Sequence, residues 1–127
     1  MLESVAVEGN PGGGRVDPVA GVDRDAGSVV VHLAGELDLY NANQVRETLL
    51  ACTDEQPDRL VVDLGEVDFV DSTALGVLIE ARSRMNERQA FLLAAPLVET
   101  RRALEVSGLD RHFAVYPSVD EALAAEL

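Results

Sequence analysis

The residues with the clearest chemical potential form the segment Asp71-Ser72-Thr73-Ala74-Leu75-Gly76. An apolar, strand-like run at 60–64 and an acidic connection at 65–70 precede it, and an apolar helical pattern follows it. The Ser72 hydroxyl is thus predicted to lie where a buried strand gives way to a helix, next to free backbone N–H groups and the positive end of the helix dipole. A phosphate on Ser72 would be held by its own helix while adding negative charge to an acidic surface, which is the chemistry of a switch.

Several residues of this segment allow more than one interpretation. Ser72 is also a favoured helix N-cap, and Asp71 suits that position equally well. Thr73 offers a second hydroxyl, which points elsewhere because successive helical residues turn by about 100°. Gly76 lies inside the helical pattern, where glycine costs about 1 kcal/mol relative to alanine. Either close packing of the helix on the sheet or a surface kept flat for a partner would offset that cost.

Acidic side chains gather after the ends of two predicted strands, where open α/β sheets place their functional loops. They are Glu36, Asp38, Asp63, Glu66, Asp68 and Asp71. Acid–base catalysis is disfavoured because no His, Lys or Cys lies nearby in the sequence. A metal-dependent phospho-acceptor aspartate is disfavoured because such a site wants a lysine, and the chain has none. We predict no catalytic residue, no cofactor and no metal, and a solvated acidic loop remains the simplest interpretation.

Two further residues with metal-binding chemistry are predicted to be structural. Cys52 is the single cysteine, so neither an intrachain disulfide nor a cysteine cluster for zinc is available. Its helical spacing from Leu49 predicts a small core residue. His32 is predicted to be a strand side chain on one sheet face, and no second ligand at suitable spacing accompanies it.

The composition predicts one acidic domain. The chain has 127 residues, of which 47% are hydrophobic, and a net charge of −13. Such a charge disfavours nucleic acids and anionic membranes as partners and favours a partner with a basic face. No apolar run approaches the ~20 residues of a membrane span. The N-terminus shows no basic-then-apolar secretory signal, so we expect a cytoplasmic protein.

The chain divides into a short tail and one folded unit. Residues 1–15 include a glycine-rich stretch that cannot bury enough surface to offset its ordering entropy, so we predict a flexible tail. Residues 16–127 form the predicted domain. Strands are predicted at 16–23, 29–34, 60–64, 91–95 and 112–116, with a turn at 25–28 and the chain leaving the second strand at Gly35.

Helices are predicted between these strands and after the last one. The first follows an Asn41–Gln44 capping box and the second follows Ser72. The third begins at Pro96 and ends just before Gly108. The fourth follows a Ser118–Glu121 capping box and runs through residue 127. The alternation predicts an α/β fold with a largely parallel sheet, which becomes mixed if the first two strands form a hairpin.

Three motifs resemble those of bacterial anti-sigma factor antagonists of the STAS fold. Gly35-Glu36-Leu37-Asp38 follows a strand, and Asp71-Ser72-Thr73-Ala74-Leu75-Gly76 precedes a helix, as in that family. Val106-Ser107-Gly108-Leu109 resembles the family's Ser/Thr-Gly-Leu stretch after its third helix. The resemblance covers residues 16–127. Many members have glycine where this chain has Ala74, whose methyl group would firm up the helix start and reduce the room for a kinase loop.

The resemblance implies a fold, a partner and a switch. The fold would be a single STAS-type α/β domain, a mixed, mostly parallel sheet of about five strands flanked by about four helices, without catalytic activity. The unphosphorylated protein would bind an anti-sigma factor that is also a serine kinase, and so release the sigma factor. Phosphorylation of Ser72 would end binding, and a PPM-type, metal-dependent serine phosphatase would restore it. The residues at or beside the contact would be Asp38, Asp71, Thr73, Leu75 and Gly76.

From the charge we expect no nucleic-acid or membrane partner, and we expect a monomer or weak dimer. Two other functions stay open: a non-switching STAS module of a larger signalling or lipid-transport assembly, and a small nucleotide-binding domain. The intact Ser72 favours the switching protein over the first. The second lacks a glycine-rich strand-to-helix loop and a lysine.

Overall fold

The computed structural model describes residues 16–127, so the predicted tail, residues 1–15, lies outside the described residues. The strands are Val19–Asp25 (β1), Ser28–Leu37 (β2), Arg59–Val70 (β3), Ala90–Ala94 (β4) and Ala114–Tyr116 (β5). The helices are Ala42–Asp54 (α1), Ser72–Ser83 (α2), Val98–Ser107 (α3) and Val119–Ala124 (α4), with a 3₁₀ turn at Leu109–Arg111. The predicted order of strands and helices is confirmed.

The five strands form one mixed sheet, as predicted. Its order is β1-β2-β3-β4-β5, with β1 antiparallel to β2 and the remaining pairs parallel. The first two strands form a hairpin in which Ala26 and Gly27 both have positive φ, at 51° and 85°. Such backbone angles match the twist of a two-residue hairpin turn.

The two faces of the sheet are covered unequally. The larger core lies between one face and α1, α2 and α3, and the predicted stripe of α1, including Leu49 and Cys52, is buried there. On the other face, α4 covers a smaller cluster around Val61 and Leu92. The Arg59 guanidinium holds α4 in place by donating to the carbonyl oxygens of Ala122 and Ala125. Because β3 is covered on both faces, three consecutive apolar residues, Leu60, Val61 and Val62, are all buried.

Strands β2 and β3 extend beyond their predicted ends. We predicted that the chain leaves the strands at Gly35 and Gly65, but β2 continues to Leu37 and β3 to Val70. The two extensions pair in parallel, with register irregularities that include the one after Gly35, where φ is +79°. The paired ends of β2 and β3 therefore lie side by side, and they lead to the starts of α1 and α2.

Three of the predicted helix ends differ from the structure. The Asn41–Gln44 capping box is wrong, because the Asn41 amide donates to the Glu36 carbonyl and no side-chain cap forms. Pro96 precedes α3, which begins at Val98. The terminal helix ends at Ala124 instead of continuing to residue 127.

The other predicted helix ends are confirmed. Gly108 follows α3 with a left-handed φ of +79°. The Ser118 hydroxyl caps α4 by accepting from the Glu121 N–H at 3.0 Å.

Candidate functional site

Ser72 is the first residue of α2 and lies two residues beyond the buried end of β3 at Val70. Its side chain is exposed, and within residues 16–127 its hydroxyl makes no hydrogen bond. The helix cap is the preceding residue: Asp71 has extended backbone angles and its Oδ1 accepts from the Ala74 N–H at 2.9 Å. The alternative that Ser72 caps the helix is therefore wrong, and its hydroxyl is exposed to solvent.

The exposed face of α2 is flat at its centre. A Cβ added to Gly76 would meet no described atom within 4 Å, so the glycine does not serve close packing on the sheet. Ser72, Gly76 and Ile79 fall on one helix face because they are spaced by four and three residues. Ile79 is 46% exposed on that face. The structure therefore contradicts the packing explanation for the helical glycine, and a surface kept flat for a partner stays a prediction.

The opposite face of α2 anchors the helix. Leu75, which we predicted to flank a contact, is 7% exposed and packs in the larger core with Leu78. Ala74 is 5% exposed in the same core, so its methyl group does not occupy the space in front of Ser72. A bidentate ion pair from Arg46 of α1 to Glu80, with both N···O distances 2.8 Å, fixes the solvent side of the helix.

The loop between β2 and α1 lies against the start of α2. The Leu39 N–H donates to Asp71 Oδ2 at 3.0 Å, and the Asp71 N–H donates to the Leu37 carbonyl at 3.0 Å. Asp38 organises the same loop, since its Oδ1 accepts from the Tyr40 N–H at 3.0 Å. Asp38 and Asp71, predicted from separate motifs, are thus brought to one place.

Sequence reasoning missed three exposed apolar residues at the ends of β2 and β3, the strands that lead to α1 and α2. Leu39 is 67% exposed, Tyr40 is 85% exposed and Phe69, on the extension of β3, is 49% exposed. The available signal was apolar side chains inside an otherwise acidic stretch. We name as the Ser72 surface the residues Leu39, Tyr40, Phe69, Ser72, Gly76 and Ile79.

Thr73 is also exposed, one residue further along α2, and its hydroxyl makes no hydrogen bond within the described residues. Its backbone N–H and that of Ser72 belong to the first turn of the helix, whose N–H groups have no partner within the helix. Both N–H groups add to the positive potential at the start of α2.

The acidic residues named from the sequence do not form one site. Asp63 lies in the middle of β3 on the α4 side of the sheet, where its Oδ2 is 2.6 Å from His32 Nδ1. Asp23 Oδ2 lies 2.8 Å from the other ring nitrogen of His32. The hydrogen bond that the His32 ring donates to Asp63, together with the one it donates to Asp23, raises the pKa of His32, although partial burial opposes the shift. Glu36, Glu66 and Asp68 are exposed near the ends of the strands.

Across residues 16–127, no group of three or more His, Cys, Asp or Glu side chains is arranged to hold a metal ion. In the same part of the chain, no helix combines the length and apolar character needed to cross a membrane. The chemistry at the start of α2 therefore rests on the hydroxyl, the backbone N–H groups and the surrounding carboxylates.

Comparison with known proteins gives consistent matches. The sequence model of the STAS domain matches residues 19–122. An anti-sigma-F factor antagonist from Mycobacterium tuberculosis is 30% identical over 97 residues, which are 76% of this chain and 80% of that protein. An anti-sigma-B factor antagonist from Listeria monocytogenes is 35% identical over 88 residues, covering 68% of this chain and 77% of the relative. The crystal structure of an anti-sigma factor antagonist from Mycobacterium paratuberculosis is 32% identical with a TM-score of 0.77, covering 81% of this chain and 88% of that chain.

Proposed function

The chain belongs to the STAS-domain family of anti-sigma factor antagonists, and we propose that it binds an anti-sigma factor that is also a serine kinase. Binding through the Ser72 surface would release the sigma factor held by that partner. The kinase would then transfer a phosphoryl group to Ser72 and end the interaction. The observation that carries this proposal is the exposed Ser72 hydroxyl, which has no hydrogen-bond partner among residues 16–127 because Asp71 caps the helix.

The Ser72 surface has the composition of a protein-docking surface. Its aromatic and aliphatic side chains are exposed around a hydroxyl, and exposed apolar patches of this kind mark interaction sites. The surrounding carboxylates and the net charge of −13 favour a partner with a basic rim. The flat position at Gly76 leaves room for a partner's side chain or loop to approach α2.

A phosphate at Ser72 would act locally. It adds about −1.5 to −2 charges at neutral pH. The first N–H groups of α2 and the helix dipole would accommodate the group, so the fold itself would tolerate it. A partner matched to a neutral hydroxyl would have to desolvate the phosphate beside Asp71 and Asp68. A loss of about 3 kcal/mol in binding free energy corresponds to roughly a hundredfold weaker affinity.

The proposal is tested with three variants used as bait in extract of the source cells. Ser72→Ala should capture the anti-sigma factor and resist phosphorylation, whereas Ser72→Asp should capture much less of it. Thr73→Ala is the matched control for the modification, because it removes the neighbouring exposed hydroxyl and should still be phosphorylated, on Ser72. Equal capture of the Ser72→Asp and Ser72→Ala proteins would contradict the proposal that negative charge at position 72 excludes the partner.

The reverse reaction would require a separate enzyme. We propose that a PPM-type serine phosphatase hydrolyses the phosphoserine and restores binding. Treatment of the phosphorylated protein with such a phosphatase and its metal should return binding to the level of the unmodified protein. Labelled ATP incubated with the purified protein alone should remain intact, whereas turnover would instead favour a nucleotide-hydrolysing domain.

A further inference from the structure

Asp71 links two segments that both contribute to the Ser72 surface. Its Oδ1 accepts from the Ala74 N–H at 2.9 Å within α2. Its Oδ2 accepts from the Leu39 N–H at 3.0 Å in the loop between β2 and α1. Its own N–H donates to the Leu37 carbonyl at 3.0 Å. One side chain therefore holds the start of the helix and the loop at a fixed distance from each other.

The loop depends on such backbone bonds because its side chains do little packing. Leu39 and Tyr40 are 67% and 85% exposed, so burial does not fix their positions. The Leu39 N–H is held by Asp71 and the Tyr40 N–H by Asp38 Oδ1, at 3.0 Å each. Loss of either acceptor would leave the corresponding N–H without its partner and increase the freedom of the loop.

We propose that Asp71 is a positioning residue for docking, and that a phosphate on Ser72 loosens its hold on the Leu39–Tyr40 loop. The inference rests on the proposed function, since it assigns a second effect to the same modification. The phosphate and the Asp71 carboxylate lie on adjacent residues and carry like charge. They also compete for the N–H groups of the first turn of α2, which include the Ala74 N–H bound by Asp71.

The consequence is a switch with two parts. The phosphate blocks the partner at Ser72, and the displaced carboxylate releases the loop that presents Leu39 and Tyr40. A partner would then meet a surface whose apolar side chains are no longer held in place and would have to order them on binding. Asp71 acts through the loop and the helix start, without having to touch the partner itself.

The first experiment uses the isolated protein with phosphoserine incorporated at position 72 during synthesis, so that no kinase is needed. The measured quantity is the solvent exchange rate of individual backbone N–H groups by NMR. The Leu39 N–H should exchange about tenfold faster than in the unmodified protein, because it loses a charge-assisted hydrogen bond. The Tyr40 N–H, bound to Asp38 in the same loop, should change much less.

The second experiment uses Asp71→Asn, which keeps a favourable N-cap and therefore the helix. The two N–H groups bind different oxygens of Asp71, and the carboxamide replaces one of those oxygens with an NH2 donor, so either the Ala74 N–H or the Leu39 N–H loses its acceptor. One of these two groups should exchange about tenfold faster. The matched control is Asp68→Asn, which removes a nearby exposed charge without touching either bond, and both exchange rates should be unchanged.

Unchanged exchange of both N–H groups in the Asp71→Asn protein would overturn the positioning role. Unchanged exchange of Leu39 in the phosphoserine protein would overturn its release by the phosphate. Both measurements are made without a partner, so their outcome does not depend on whether the proposed function is correct. If no anti-sigma factor binds the protein, the capture experiment fails while these exchange rates remain informative.

Discussion

Replacing Gly76 with alanine should stabilise the protein, and replacing it with a larger residue should weaken docking. Gly76 lies inside α2, its φ is not in the left-handed region, and an added Cβ would meet no described atom within 4 Å. The methyl group therefore introduces no clash and restricts the unfolded chain. We expect the free energy of unfolding to rise by about 1 kcal/mol. For a domain of this size the melting temperature should rise by about 4 °C.

The matched control for this substitution is Gly108→Ala. A Cβ at Gly108 also meets no described atom within 4 Å, but its φ is +79°. The same methyl group should therefore lower the free energy of unfolding by about 1 kcal/mol, because L-residues are strained in the left-handed region. Urea denaturation followed by circular dichroism measures both variants against the unaltered protein.

The effect on docking is tested with Gly76→Gln, which adds a longer neutral side chain to the open helix face. The fold should be retained, whereas capture of the anti-sigma factor should fall by at least about tenfold, or about 1.4 kcal/mol. A stabilised variant with weaker binding would identify Gly76 as a residue kept for docking. If Gly76→Ala lowers stability, the glycine is needed for packing and the description of an open face is refuted.

Three further substitutions test the core and the sheet. Leu49→Ala, at a fully buried position, should lower the free energy of unfolding by about 3 kcal/mol in urea denaturation. His32→Gln should destabilise most below pH ~6.5, the unfolded pKa of histidine, since the hydrogen bond that the His32 ring donates to Asp63 raises the folded pKa of His32. The stabilisation is lost as pH rises through that folded pKa, so the difference between the two proteins should shrink in denaturation series at increasing pH. Thr100→Val should leave melting unchanged or raise the unfolding free energy by up to about 1 kcal/mol, because the Thr100 hydroxyl is buried without a partner among the described residues.

The fold was largely predictable because its strands and helices follow simple periodicities. The β-branched run around Val30 and the helical stripe through Leu49 are each consistent with one structure only. The extensions of β2 and β3 were missed because acidic residues interrupt them. Those acidic residues are exposed, and the register irregularity that adds one residue to β3 lets both Val67 and Val70 reach the same core, so an acidic segment is still a strand.

The site was predictable where it depends on local sequence and not where it depends on distant contacts. The position of Ser72 at the start of a helix follows from neighbouring residues alone. The bond between Asp71 and the Leu39 N–H joins residues that are 32 positions apart. Asn41 was predicted to cap its own helix, but its amide binds the Glu36 carbonyl instead. The N-cap propensity of asparagine favours a hydrogen bond to the first turn of its own helix, but the folded loop offers the Glu36 carbonyl instead.

The most direct test of the switch compares the affinity of one partner for two forms of the protein. The partner is the anti-sigma factor captured by the Ser72→Ala protein, and the two forms carry serine or phosphoserine at position 72. Calorimetric titration should show binding weakened by at least about a hundredfold in the phosphoserine form, equivalent to about 3 kcal/mol. Equal dissociation constants for the two forms would contradict the claim that phosphorylation of Ser72 turns the docking surface off.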